Sequence, residues 1–200
     1  MQQYLYIIIL LILPYLHQQS ATEIMKWSAE EVAAANTGKD AIYLNDVEKE
    51  TLLYLNLARL YPKKYVRLEV PKDIFMVRNE KAKWFSYRNS LVKELNSIQP
   101  LEPYYPNEYM TLNAKCFAKE SAELGIVGHQ RVKCEKENYA ECCAYGKKTG
   151  REIALQLLID YDVPSLGHRN DCLAHVYSKV GLGYEEAHPR YGSTLVMVLD

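Results

Sequence analysis

Apolar positions follow a helical rhythm through most of the chain and a strand rhythm at its end. Asn45, with Glu48 three residues later, has the form of a capping box, and apolar residues crowd positions 52–61, which predicts a helix there. Pro62 ends it by removing a backbone donor. Residues 63–83 are charged and irregular, with a loop at Pro71. Leu91 and Leu95, at i and i+4, predict a second helix over 86–96. Pro100, Pro103 and Pro106 enforce an extended connector. Met110, Ala114, Phe117, Ser121 and Leu124 form one stripe at helical spacing, predicting a helix over 107–124 that ends at Gly125. Residues 126–148, rich in charge and cysteine, read as a loop. Thr149 and Glu152 make another capping box, opening a helix through Ile153, Leu157 and Leu158 that stops before Pro164. The tail reads as two strands, 175–185 and 193–200, joined by a hairpin loop over 187–192. Helices come first and strands last, which favours an α+β layered domain.

The N-terminus changes this picture. Residues 1–20 carry no Asp, Glu, Lys or Arg, and positions 4–16 are almost wholly apolar. That is the layout of a secretory signal over 1–21, and its apolar run of 13 residues is shorter than the about 20 that span a bilayer. An uncleaved N-terminal anchor is the alternative. Residues 22–45 are low in pattern and read as an arm or linker, leaving 46–200 as one domain with enough chain for a core. After signal cleavage no stable membrane span is expected, and the location is extracellular or periplasmic. The net charge of −1 gives no electrostatic case for nucleic acid. The 17 tyrosines against 3 phenylalanines supply amphipathic rings that suit a cleft.

Cysteine usage is odd: Cys116, Cys134, Cys142, Cys143 and Cys172. Export permits one or two bridges, with at least one thiol left over. The adjacent pair Cys142-Cys143 is not expected to bridge to itself. No C-x2-C pair suggests a structural zinc site, and His168-x3-Cys172 is only half a motif.

Candidate chemistry gathers on histidines at helix exits. His129 follows Gly128, and His168 sits between Gly167 and Arg169, with Glu137 between the two in sequence. Two imidazoles and a carboxylate are what zinc or another divalent cation needs as three protein ligands. The same trio suits a base, an acid and an orienting group. Each residue also has a plainer reading: His168 as a hydrogen-bonded turn histidine, His129 as a surface histidine and Glu137 as a solvated acid. Arg169 reads as a clamp on carbonyls or an acid, and His175 and His188 as structural or exposed.

Five segments in order resemble the CAP superfamily, the SCP-like domains shared with cysteine-rich secretory and pathogenesis-related proteins, and most of all its bacterial branch. Leu55-Asn56-Leu57-Ala58-Arg59, with Pro62 and Tyr65, is similar to that family's opening helix. Leu101-Glu102-Pro103 and the stretch from Leu112 to Ala118 resemble the approach to its next helix and a site histidine at His129. Glu137-Asn138-Tyr139-Ala140 looks like Gly-Glu-Asn-Ile-Ala, with Lys136 where Gly is usual. Ser165-Leu166-Gly167-His168-Arg169, then Leu173 and Val180-Gly181-Leu182-Gly183, resemble its Gly-His-Arg turn and following strand, with Asp171 where Asn is common. The resemblance implies a CAP-type α-β-α layered sandwich, with a small, mostly antiparallel sheet flanked by helices. It implies a cleft of two histidines and two acids, placing His129, Glu137 and His168 on three positions. Asp160 or Asp162 stands in for the fourth with a shorter side chain.

The resulting expectation is a secreted module whose cleft binds a small apolar or peptide-like ligand or a divalent metal, zinc first. One alternative is a metal-assisted or acid–base hydrolase of peptide or cell-wall material, with Glu137 as base and the histidines as ligands or acids. No Ser or Cys is placed by motif as a nucleophile beside a base, which weighs against peptidase chemistry. The other alternative is an interaction domain with a vestigial cleft.

Overall fold

The computed structural model describes residues 26–73 and 78–200, so the signal-like segment 1–21 lies outside the described residues. The expected first helix is α2, Asp46–Leu60, and it opens with the expected reciprocal capping: Asn45 accepts from the Glu48 amide and Glu48 accepts from the Asn45 amide. Within the stretch 22–45, read as an arm or linker, Ala29–Ala35 forms helix α1 behind its own capping box at Ser28 and Glu31. Asn56 on α2 holds this helix by donating to the Ala35 carbonyl at 3.0 Å, with Ala35 and Leu44 buried. Helix α2 ends before Pro62, as expected, and Pro62 then opens α3, Pro62–Leu68, at a position where the missing N–H would have no helical partner anyway.

The stretch 63–83 is likewise less irregular than its charge suggests. The helix expected at 86–96 is α4, Arg78–Ser97, whose Trp84, Leu91 and Leu95 are buried. Strand β1 is the short pair Tyr105–Pro106. Helix α5, Glu108–Leu124, buries Met110, Ala114, Phe117 and Ser121 of the predicted stripe and closes on Gly125 in the left-handed region at φ +66°. Strand β2, Ala140–Tyr145, lies in the stretch expected to be loop. Helices α6, Gly150–Ile159, and α7, Gly167–Cys172, precede the hairpin of β3, Lys179–Glu185, and β4, Thr194–Leu199.

The fold is α+β. The sheet order is β1-β3-β4-β2, parallel between β1 and β3 and antiparallel elsewhere. Alternating side chains divide between its two faces. Val180, Leu182, Leu195, Met197, Cys142 and Ala144 join the larger core with α2 and α6. Val196, Val198 and Cys143 pack with Met110, Ala114 and Phe117 of α5. Helices therefore cover both faces, and β2 is an edge strand.

Close approach of α5 depends on Gly181 and Gly183. A Cβ at Gly181 would lie 2.2 Å from the Met110 carbonyl carbon, and one at Gly183 would lie 2.5 Å from that of Ala114. Backbone cannot yield as a side-chain tip can. Gly183→Ala is therefore expected to cost about 3 kcal/mol in urea unfolding, as overpacking does. At Gly167 an added Cβ would meet only Ser165 Oγ at 3.6 Å. Gly167→Ala should stay within about 0.5 kcal/mol of the parent, and equal losses in the two variants would refute the close-packing account.

Candidate functional site

One wall of the site is the α6–α7 corner. Helix α6 ends at Asp160, φ +54°, a left-handed position that Asp tolerates. Asp162 and Leu166, also at positive φ, turn the chain back into α7 within a few residues. Asp160 is 2% exposed. Its Oδ1 lies 2.7 Å from His168 Nδ1, and its Oδ2 accepts from the Arg169 amide at 3.3 Å. In the neutral imidazole this places the proton on Nδ1 and leaves Nε2 as an acceptor. Arg169 is the carbonyl clamp its composition suggested: it donates to the Leu158, Ile159 and Tyr87 carbonyls at 2.7, 2.7 and 3.0 Å.

The second wall is β2 and the loop after α5. His129 Nδ1 lies 3.0 Å from Glu141 Oε1 and 3.8 Å from Cys143 Sγ. Glu141 and Cys143 are two residues apart and so share one face of β2. Arg131 holds the other Glu141 oxygen, donates to Asn113 Oδ1 at 2.9 Å and lies 4.6 Å over the Phe117 ring. The loop is fastened to α5 by the Cys116–Cys134 disulfide and by Glu120, which accepts from the Val132 and Lys133 amides. Burial, with Glu141 beside it, pushes the Cys143 thiol up to about 12. The thiol donates to the Gly128 carbonyl at 3.4 Å.

Asp171 stands between the walls. Its Oδ2 accepts from Cys142 Sγ at 3.6 Å, and both His168 and His129 favour its ionised form. On the α6–α7 side lies a cavity of about 440 Å³, lined by Trp84, Leu155, Leu157, Val163 and Tyr161, with His168, Asp160, Lys147 and Glu152 as polar members and Cys143 also on its wall. Gln156 also lines it, and its amide oxygen is buried without a hydrogen-bond partner.

Of the expected residues, His129, His168 and Asp160 each belong to a histidine–carboxylate pair. Glu137 does not: its Oε1 accepts from the Tyr109 hydroxyl at 2.8 Å, and Glu141 occupies the place expected for it. Asp162 pairs with Lys83 rather than His168. His188 is buried and structural, with Nδ1 accepting from the Arg190 and Tyr191 amides and Nε2 facing the Ile126 carbonyl at 3.1 Å. His175 is exposed. Cys142, Cys143 and Cys172 are free and buried.

The four-residue metal set implied by the resemblance is not assembled. Among the described residues, the group of three or more potential ligands whose atoms lie within 4.8 Å of one another is His129, Glu141 and Cys143, and it contains neither His168 nor Asp160. Cys142 and Cys143 pack into different cores across β2; Cys143 meets His129, while Cys142 meets Asp171 of α7.

No protein-family model and no curated protein matches the chain. Among solved structures it is similar to an outer surface protein from Borrelia burgdorferi, at 15% identity and a TM-score of 0.40, over 63% of this chain and 96% of that one. This likeness is too distant to assign a fold or a function.

Burial raises the Asp171 carboxyl above its ordinary value, against the Cys142 thiol and the two imidazoles. The folded chain then keeps this proton to higher pH than the unfolded chain, so stability falls as pH rises through the folded value. Asp171→Asn, neutral throughout, should be more stable than the parent at neutral pH in urea unfolding. The gap should close below about pH 4, where the unfolded-state carboxyl also protonates. A parent more stable than the variant at neutral pH would contradict this.

Proposed function

We propose that the chain is an exported CAP-type binding module whose α6–α7 cavity takes a small, mainly apolar ligand carrying a hydroxyl group. The observation that carries the reading is the cavity itself. Its walls include Trp84, Leu155, Leu157 and Val163, and its polar members include His168, whose Nε2 is left as an acceptor by the pairing of Nδ1 with Asp160, and Gln156, whose Oε1 is buried without a partner. Apolar walls supply affinity and a few convergent polar groups supply orientation. A hydroxyl donating to either acceptor satisfies a group that is otherwise costly to leave unpaired.

The CAP resemblance supports this reading through lipid or sterol binding, which that family implies. Export is supported by the disulfide, which persists in oxidising compartments. Among the described residues no helix is long and apolar enough to cross a membrane. For the hydrolase alternative, the expected base Glu137 accepts from the Tyr109 hydroxyl, and the acid paired with His129 is Glu141.

Trp84 offers a direct readout, because the chain has 2 tryptophans and Trp27→Phe leaves Trp84 alone. In that background, titration with a sterol or a long-chain alcohol should change Trp84 emission to saturation. Val163→Phe, which fills the cavity, and His168→Ala should each weaken the effect by at least about tenfold, or 1.4 kcal/mol. No saturable change with either probe, or equal affinity in the filled variant, would overturn the reading.

A further inference from the structure

The His129 wall is a second site with different chemistry. We propose that His129 Nδ1, Glu141 Oε1 and Cys143 Sγ bind one thiophilic divalent cation of the zinc type. The donor set is one imidazole, one carboxylate and one thiolate, which suits zinc with a fourth position left open.

The spacing fits with little movement. Tetrahedral zinc, with Zn–S about 2.3 Å and Zn–N and Zn–O about 2.1 Å, sets its ligand atoms about 3.4–3.6 Å apart. Here Nδ1 to Oε1 is 3.0 Å and Nδ1 to Sγ is 3.8 Å, with all three ligand atoms within 4.8 Å of one another. Each of the two measured pairs therefore needs to shift by only a few tenths of an ångström, and His129 is exposed enough to turn.

The surroundings are those of a prepared site. Arg131 occupies Glu141 Oε2 and leaves Oε1 for the ion, as outer-shell partners of ligating carboxylates do. Its own side chain is 4% exposed and packed on Phe117, so the carboxylate has a rigid support. The disulfide and Glu120 fix the loop that presents His129. On binding, three bonds form to the ion, the Sγ proton leaves to solvent, and the imidazole keeps its single proton on Nε2.

Cys143 also lines the His168–Asp160 cavity, whereas His129 and Glu141 do not, so the His129 and Glu141 variants test this site apart from that cavity. Cobalt(II) added to the full chain with the Cys116–Cys134 disulfide intact should give one ion per chain and a near-ultraviolet thiolate-to-cobalt charge-transfer band, which zinc then displaces. Cys143→Ser should remove the band, and His129→Ala and Glu141→Gln should each weaken uptake at least about tenfold. His129→Ala changes an exposed residue, so it tests the site even if Cys143→Ser folds poorly. Cys142→Ser and His168→Ala should leave the band intact. Absence of cobalt uptake, uptake without the thiolate band, or loss of the band in His168→Ala with retention in Cys143→Ser would each overturn the assignment.

Discussion

A guanidinium that is 1% exposed must find acceptors for its N–H groups inside the protein, and Arg169 meets that demand from two neighbouring helices at once. It takes the Leu158 and Ile159 carbonyls at the end of α6, which a helix terminus leaves without partners. It also takes the Tyr87 carbonyl and the Ser90 hydroxyl from α4. Burial lowers its pKa, and Glu94 works against that. The main chain of the same residue donates to Asp160, which in turn orients His168. The histidine is thus positioned by its sequence neighbour through an acid eight residues upstream. A planar fork with several donors is needed, which a lysine cannot supply.

The far end of α7 is held in a parallel way. Arg59, also 1% exposed, donates to the Cys172 and Ala174 carbonyls at 2.9 Å and lies 3.8 Å over the Tyr104 ring. The Tyr104 hydroxyl reaches the Asp171 and Cys172 carbonyls. Asn56, one turn before Arg59, binds the Tyr104 main chain in both directions and holds α1. The short helix carrying His168 is therefore clamped at both ends by cations on carbonyls. The His129 wall depends on other means: a disulfide across 18 residues and a buried carboxylate on loop amides. Closing a loop of that length removes on the order of 3 kcal/mol of unfolded-state entropy. Chain that has no helical hydrogen bonds gains most from such a cross-link.

These differences explain what the sequence made legible. Capping boxes at Asn45 and Thr149, the stripe on α5 and the terminal hairpin are local patterns, and each predicted element is present. Helix α1 carried one local signal, Ser28 with Glu31 three residues on, but its core, like that of strand β2, is supplied from far along the chain. Ala35 needs Asn56, and the β2 register needs β4. The segment Ala140–Tyr145 also mixes one acid with two cysteines, so it lacks the β-branched residues that mark a strand. Glu137 lies just before this strand and accepts from Tyr109. Once β2 starts at Ala140, the acid that its pleat sets beside Cys143 is Glu141.

The edge strand is also where the two walls meet. Cys142 pairs in register with Met197 and Cys143 with Val196, so neighbouring cysteines are turned to opposite faces. Cys142 reaches Asp171 on α7, while Cys143 reaches His129 in the loop. A slip of one residue would exchange them and uncouple both walls, because the side-chain period of a strand is two. The register is fixed from outside the site: β4 is buried along its whole length and sits between β2 and β3. The glycines at 181 and 183 let α5 lie on β3 closely enough to bury the face that carries Cys143. Backbone contact on one side of the sheet thus determines which thiol faces which histidine at its edge.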